Sequence, residues 1–457
     1  MRQRAEVPFA GTIGTLTQRL AERLCEIRYE DLPVEVVRKA KEHLLYLIGS
    51  ALGGGDTEIG ARGREIARQL GGGAGRCTVI GAGQNASAVD AALANAAQIM
   101  GRGMDDYLLP AGGHPGVVTV PAALAVAEQE HVGGKDLLLA TVLGYELLGK
   151  LAELQWAWSA SVPRRATIPF GPFGPAAASI RLLGLDPGRA AHAIGYAANM
   201  AMGVAENPFG GLYYGFVARN GITAAVAARA GAKMPPTTLE GEHGFFMTFF
   251  GEIPEGTYGV TDRIGQEWEM LGAQLKRWAT TGMNYPAIQL MLELVREHAL
   301  DAESIARIVV HFSSDRENHA TGHAVGPFTS RWDATSSGPF HLACAILDGR
   351  IDPARYERYD DPSVADLLQR IEVRLEETPT RDFAKLEVTT RDGRRLVAER
   401  ERYETPPGTG LAWLREEGAR AFPAERLERI ARAVEGLEEM SDVAELASLL
   451  CAEGTRS

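Results

Sequence analysis

The chain has 457 residues, of which 45% are hydrophobic and 23% are charged, and its formal net charge at pH 7 is −12. This composition is typical of an ordinary soluble globular enzyme and excludes a disordered or fibrous chain. The negative charge repels a phosphate backbone, and no Lys/Arg stripe with interleaved aromatics offsets it, so we expect no nucleic-acid partner.

The N-terminal stretch MRQRAEVPFAGTIG has basic residues with no continuous apolar segment behind them. The most apolar internal run, DLLLATVLGYELLG, is short and contains acidic residues. Neither a signal peptide nor a membrane-spanning segment is therefore predicted. The sequence predicts a cytoplasmic location and no membrane partner.

From residue 16 to about residue 233, apolar residues recur at helical spacing or fill whole segments. The predicted helices are Leu16–Ile27, Val34–Leu52, Ser87–Met100, Val117–Glu128, Lys135–Trp156, Gly174–Leu183 and Gly211–Gly231. A short β-like run, CTVIG, follows the second of two glycine clusters, GGGDTEIG and GGGAGRCTVIG. Neither cluster follows a strand and opens a helix, as a dinucleotide-binding loop does, so both are interpreted as turns.

Past residue 265 the runs IARIVVHFS, IEVRLEE and AKLEVTT predict strands. The helices predicted among and after them are Tyr285–His298, Thr335–Leu347, Ala424–Leu437 and Val443–Cys451. The predicted fold is therefore mostly α. A large all-helical domain is made from both chain ends, residues 1–267 and 396–457, and a smaller α+β lid domain is formed by residues 268–395.

Metal ligands at familiar spacings do not stand out in this sequence. The cysteines lie without CxxC spacing, which indicates neither a zinc knuckle nor a disulfide framework, at Cys25, Cys77, Cys344 and Cys451. His319 and His323 stand at HxxxH spacing, but their segment lacks the Glu of HExxH and is rich in Gly and polar residues. No metal site is predicted.

The stretch MDDYLLPAGGHPG, residues 104–116, gathers two carboxylates and a histidine just before a predicted helix start. The free N–H groups at such a helix end can hold an anion. His114 could act as a general acid or base, with Asp105 or Asp106 orienting or deprotonating it. The alternative is structural, with the aspartates capping helices and His114 bonding a backbone carbonyl.

A second polar stretch, QLKRWATTGMNYP at 274–286, places Lys276 and Arg277 side by side. This pair suits a substrate carboxylate, because Arg can grip both oxygens while Lys supplies a point charge or a proton. A solvated basic turn is the alternative. Tyr213 and Tyr214 lie among glycines in ENPFGGLYYGFVARNG, and at least one of them is expected in the helical core.

The run HPGVVTVPAALAVAEQEHVGGKDLLLATVLGYELLGKLA resembles the signature of the MmgE/PrpD family, which includes 2-methylcitrate dehydratase, cis-aconitate decarboxylase and iminodisuccinate epimerase. The likeness continues through FGPFGPAAASIRLLGLD, GFVARNGITAAVAARAGAKMPPTTLEGEHGFF, LKRWATTGMNYPAIQ and DATSSGPFHLACAILDGRID. It covers nearly the whole chain. The resemblance implies a homodimer, a helical domain with an α+β lid, and a cofactor-free cleft between them for a small-molecule substrate.

The resemblance carries some site residues over to this chain and loses others. Asp105, Asp106, His114 and Lys276 match the family pattern. At other family positions this chain has a different residue. Gly103 stands where the family has its first Asp, Met100 where it has the His before that Asp, and Gly210 where it has a Lys. Further family His positions fall at or near Arg165, Thr281 and Tyr285. Two interpretations stay open, a divergent enzyme with a larger or less charged substrate, and a non-catalytic binding or structural protein.

The function predicted from the sequence is that of a metal-independent lyase, specifically a dehydratase acting on a hydroxy-carboxylic acid or a related carbonyl compound. Such a reaction needs a base, a donor for the developing enolate charge, and an acid for the leaving hydroxyl. The candidate catalytic residues are His114, Asp105, Asp106 and Lys276, and the candidate substrate-binding residues are Arg277, Tyr107, Tyr214, Arg165 and Tyr285. A decarboxylase or epimerase of the same family is the alternative.

Overall fold

The computed structural model describes residues 14–71, 75–109, 113–158, 167–202, 211–314 and 320–452. The fold is mostly α with a small α+β part. Helices α1 to α19 span Leu16–Glu26, Val34–Gly54, Glu58–Gly71, Ala88–Met100, Pro115–Glu130, Gly134–Trp158, Phe173–Leu182, Pro187–Asn199, Leu212–Arg229, Phe245–Phe250, Val260–Arg263, Glu269–Gly272, Tyr285–His298, Arg331–Ser336, Gly338–Asp348, Pro362–Leu368, Thr409–Gly418, Ala424–Glu435 and Ala444–Leu450. Strands β1 to β8 span Cys77–Thr78, Asn85–Ala86, Asp106–Leu108, Ala273–Leu275, Ile305–Ser313, Ile371–Glu376, Ala384–Thr390 and Arg395–Arg400.

The larger hydrophobic core joins residues 16–275 to residues 414–450. Helix α17 packs along α2 at Gly49, where an added Cβ would lie 2.8 Å from the Cα of Leu414. The backbone N–H of Gly410 also donates to the carboxylate of Glu42 at 2.8 Å. Both ends of the described chain therefore build one helical body.

The smaller core spans residues 287–388 and covers a four-stranded sheet of order β6-β5-β7-β8. Strand β5 pairs parallel with β6 and antiparallel with β7. Alternation along β7 buries Ala384, Leu386 and Val388 against helices α13, α15 and α16. We propose that the two cores mark the two domains expected from the sequence, divided at 1–267, 268–395 and 396–457.

Several elements differ from the sequence predictions. The helix predicted over Thr335–Leu347 is broken at Ser337, whose hydroxyl accepts the N–H of Phe340 and begins α15. Gly54, interpreted as part of a turn, is the last residue of α2. A Cβ at this position would lie 1.9 Å from the carbonyl oxygen of Gln98, so only glycine fits there. The CTVIG run forms a strand of only two residues. The elements that were not predicted are α3, α8, α10, α11, α12, α16, α17, β2, β3, β4 and β8.

None of the described helices is both long enough and apolar enough to cross a membrane. The long helix α6, which contains the most apolar run of the sequence, contributes many of its leucines to the larger core. Its apolar surface is therefore used in packing against other helices.

Candidate active site

A short antiparallel strand pair places the acidic stretch beside Lys276. Strand β3 pairs with β4 so that Asp106 lies opposite Leu275, and the N–H of Lys276 donates to the carbonyl of Asp105 at 3.1 Å. The sequence analysis predicted no strand here. The strand escaped prediction because it has three residues and its partner lies far along the chain.

The carboxylate of Asp105 is fully buried between two basic groups. Its Oδ1 lies 2.5 Å from Lys276 Nζ, and its Oδ2 lies 2.7 Å from His114 Nδ1. Burial alone would raise the pKa of Asp105, but the neighbouring charges of His114 and Lys276 outweigh burial and hold the pKa at about 2. Asp105 is therefore ionised at neutral pH.

The imidazole of His114 is oriented by backbone and carboxylate oxygens together. Its Nδ1 lies 2.8 Å from the carbonyl oxygen of Asp106. Among the described residues Asp105 Oδ2 accepts no well-aligned hydrogen bond, so its 2.7 Å approach to Nδ1 is an electrostatic contact. The backbone N–H of His114 donates to Thr167 Oγ1 at 2.8 Å. With Nδ1 engaged, Nε2 is the ring nitrogen that can face a substrate.

The carboxylate of Asp106 caps the start of helix α5 from inside the protein. Gly116 N donates to its Oδ1 at 2.9 Å, and Tyr145 Oη donates to its Oδ2 at 2.7 Å. His43 Nδ1 lies 3.2 Å from Tyr145 Oη and 3.5 Å from Asp106 Oδ2. Burial lowers the pKa of His43, partly opposed by Asp106, and so favours a neutral imidazole.

Tyr107 and Tyr285, predicted to bind substrate, lie in a buried aromatic cluster with Tyr403. The hydroxyl of Tyr285 accepts the N–H groups of Arg277 and Trp278 at 2.9 Å each and donates to the Trp278 carbonyl at 2.5 Å. Tyr285 thus holds the turn that follows Lys276. The hydroxyl of Tyr107 is buried and has no hydrogen-bond partner among the described residues.

The structure describes two of the three remaining predicted residues, Tyr214 and Arg277. Tyr214 packs edge-on against the His114 ring, with 5.9 Å between ring centroids, and stacks on Tyr213. Arg277 is exposed, with its guanidinium 5.9 Å from the Trp278 ring centre. Arg165 lies outside the described residues, as do Gly210 and His319.

Sequence analysis did not identify Tyr145 or His43 as part of the site. The available signal was the presence of a phenol and an imidazole inside otherwise apolar helical runs, since buried polar side chains are normally hydrogen-bonded. Tyr46 was missed in the same way. Its hydroxyl donates to the Lys276 carbonyl at 2.6 Å and so helps to fix the strand end that presents Lys276.

A cleft of about 1180 Å³ opens beside Lys276, between the two cores. It is lined by residues of the helical body, of the lid and of the segment before α17, among them Met104, Lys276, Arg277, Trp332 and Trp413. Lys276 therefore contacts both the cleft and the Asp105 carboxylate. Among the described residues no group of three His, Cys, Asp or Glu side chains could hold a metal ion.

Comparison with known families decides the relationship of this chain. The MmgE/PrpD N-terminal domain matches residues 18–255, and the MmgE/PrpD C-terminal domain matches residues 278–413. The chain belongs to the MmgE/PrpD family. The family resemblance of the sequence motifs is confirmed.

Curated relatives of this MmgE/PrpD chain are named for one reaction. A cis-aconitate decarboxylase of Aspergillus terreus strain NIH 2624 is 26% identical over 367 residues, covering 74% of this chain and 72% of the relative. A cis-aconitate decarboxylase-like protein of Aspergillus oryzae is 29% identical over 325 residues, covering 66% and 67%. A second Aspergillus terreus cis-aconitate decarboxylase is 24% identical over 426 residues, covering 87% and 84%.

Proposed function

We propose that this MmgE/PrpD protein is a lyase acting on a carboxylic acid, with His114 moving the proton and Lys276 with Arg277 binding a substrate carboxylate. The observation that supports it is the buried Asp105 carboxylate between His114 Nδ1, at 2.7 Å, and Lys276 Nζ, at 2.5 Å. The ionised Asp105 carboxylate and the Asp106 carbonyl both approach Nδ1, which leaves Nε2 as the ring nitrogen available to a substrate.

Decarboxylation is the first candidate reaction. Loss of carbon dioxide leaves an electron pair on the substrate carbon, a nearby cation stabilises that charge, and one proton completes the product. His114 supplies the proton and Lys276 the cation. The names of the relatives support the same choice, which places decarboxylation ahead of the dehydration favoured by sequence analysis.

Dehydration of a hydroxy acid is the second candidate. It needs a base at carbon and an acid at the leaving hydroxyl. His114 and Lys276 approach different oxygens of the same Asp105 carboxylate and provide two separate groups for these tasks. We therefore keep both lyase reactions, and they differ only in what leaves the substrate.

The two reactions are separated by incubating the purified protein with cis-aconitate, 2-methylcitrate and a panel of related unsaturated and hydroxy acids. Mass spectrometry then shows loss of carbon dioxide for a decarboxylase and loss of water for a dehydratase. An unchanged mass with changed stereochemistry would indicate an epimerase. No change in any acid would contradict the lyase proposal and favour a binding role.

The proposed role of His114 predicts that His114→Ala lowers turnover by roughly 10²–10⁴-fold, the range for loss of one general acid or base. The variant should stay folded, because the His114 side chain is partly exposed, but its melting temperature should fall, because the buried Asp105 carboxylate loses one of its two basic neighbours. Turnover is therefore compared per folded molecule. His298→Ala, at the exposed end of α13, is the matched control. Near-normal turnover in a stable His114→Ala protein would remove His114 from the mechanism.

A further inference from the structure

The cleft beside Lys276 is larger than a compact tricarboxylic acid requires. Its volume of about 1180 Å³ exceeds the roughly 300–1,000 Å³ of typical pockets for drug-sized ligands. Residues of the helical body and of the lid line it together. The volume alone does not identify a ligand. The charges and aromatic surfaces that line the cleft decide which ligand fits.

Most cations of the cleft already have acidic partners. The pairs are Arg102 with Asp56 and Glu417, Arg420 with Glu417, Arg296 with Glu297, Arg331 with Glu357, and Arg350 with Asp352. Lys276 is balanced by Asp105. Arg277 is exposed, and no carboxylate among the described residues lies within ion-pair distance of it. Among the described cations that line the cleft, Arg277 is therefore the one without a carboxylate partner, and it can pair with one carboxylate of a ligand.

The rest of the cleft is rich in indole rings. Its lining includes Trp278, Trp332 and Trp413. Trp332 is 47% exposed. Trp413 is fixed by stacking on Tyr46, 5.5 Å between centroids, and by donation from its Nε1 to Ser50 Oγ at 2.9 Å. Such held aromatic surfaces bind planar groups by stacking and by apolar burial.

We propose that the cleft binds an acid with a single carboxylate and an aromatic or similarly bulky planar body. The carboxylate pairs with Arg277 beside Lys276, and the planar body packs on the indoles of the cleft. Binding of such an acid stands independently of catalysis. The further statement that this acid is also the reacting substrate rests on the proposed function.

Isothermal titration of the full-length protein with cinnamate and acrylate tests the proposal, because the two acids share the carboxylate and the double bond and differ in the ring. Cinnamate should bind at least about tenfold more tightly than acrylate, which corresponds to about 1.4 kcal/mol. Cis-aconitate should bind more weakly than cinnamate, since its additional carboxylates find no unpaired cation. Equal affinity for cinnamate and acrylate would overturn the proposal.

Matched variants locate the binding site. Trp332→Ala should lower the affinity for cinnamate about tenfold and leave the affinity for acrylate unchanged. Arg277→Gln should lower the affinity for both acids by a similar factor. Phe216→Ala, at an exposed aromatic residue outside the cleft lining, should change neither affinity. Arg350→Gln, which removes a cation already paired with Asp352, should have little effect.

The outcomes separate this proposal from the lyase proposal. Turnover of small acids without tighter binding of cinnamate would support the lyase proposal and contradict the planar-acid site. Cinnamate binding that depends on Trp332, without turnover of any acid, would support the planar-acid site and contradict the lyase proposal. If Trp332→Ala instead dissociated a dimer in sedimentation experiments, the exposed indole would belong to a subunit interface and the proposal would fail.

Discussion

At the scale of single residues, the two adjacent aspartates perform different tasks. Asp105 presents its carboxylate to His114 and Lys276, whereas Asp106 uses its carbonyl to hold His114 Nδ1 and its carboxylate to cap α5. We therefore propose Asp105 as the electrostatic partner of the reacting groups and Asp106 as a positioning residue. Sequence spacing could not separate the two tasks, because the aspartates are neighbours in the chain.

Removing the Tyr145 hydroxyl tests the positioning role. Tyr145→Phe takes away the 2.7 Å hydrogen bond to Asp106, so the Asp106 carbonyl that orients His114 should be held less firmly. We expect kcat to fall about tenfold with KM nearly unchanged, and stability to fall by about 1–3 kcal/mol. Tyr29→Phe, which loses a hydroxyl contact with Glu438 away from the site, is the control. A change in stability with normal kcat would assign Tyr145 a purely structural role.

The ion cluster also predicts a pH dependence of stability. The pKa of Asp105 is about 2 in the folded protein against an ordinary 3.8, so its stabilisation is present above pH 3.8 and is lost as the pH falls toward 2. Asp105→Asn should therefore cost roughly 2 kcal/mol at neutral pH, and the cost should shrink in acid. Urea unfolding at several pH values measures it. A cost independent of pH would show that packing, and not charge, is what the substitution removes.

At the scale of elements, the long helices with a regular apolar periodicity were predicted from the sequence, and the very short strands were missed. The helices α2 and α13 begin at Val34 and Tyr285, the residues predicted from the apolar periodicity. Strands β3 and β4 have three residues each and pair with each other across a long stretch of sequence, so local periodicity does not predict them. The site residues of the acidic stretch were found, but the Tyr145 network was hidden inside an apolar helix.

The contact between α2 and α17 predicts the effect of adding a single methyl group. In Gly49→Ala the new Cβ would lie 2.8 Å from the Leu414 Cα, so the two helices must move apart. We expect a loss of roughly 1–3 kcal/mol in the free energy of unfolding. Gly259→Ala is the control, because an added Cβ there meets nothing within 4 Å. Equal melting temperatures for both variants would contradict close packing of α2 on α17.

At the scale of the whole molecule, the helical body depends on the segment after the lid. A chain ending at residue 405 would lack α17, α18 and α19, which bury Leu414, Ile430 and Leu446 in the larger core. We expect this truncated chain to be insoluble or to bind hydrophobic dyes strongly. The control is to supply residues 406–457 as a separate peptide, which should restore part of the native signal. A soluble, cooperatively unfolding truncated chain would contradict the prediction.

The return of the chain to its own beginning also sets an order of events during synthesis. Helix α2 leaves the ribosome long before α17 is synthesised. The surface of α2 around Gly49 therefore lacks its α17 partner while more than three hundred further residues are made. The lid core, contained within residues 287–388, has all its partners available earlier. Domains generally fold as units once they are complete, and contacts between distant residues form slowly. The inserted unit is thus expected to fold before the unit that surrounds it.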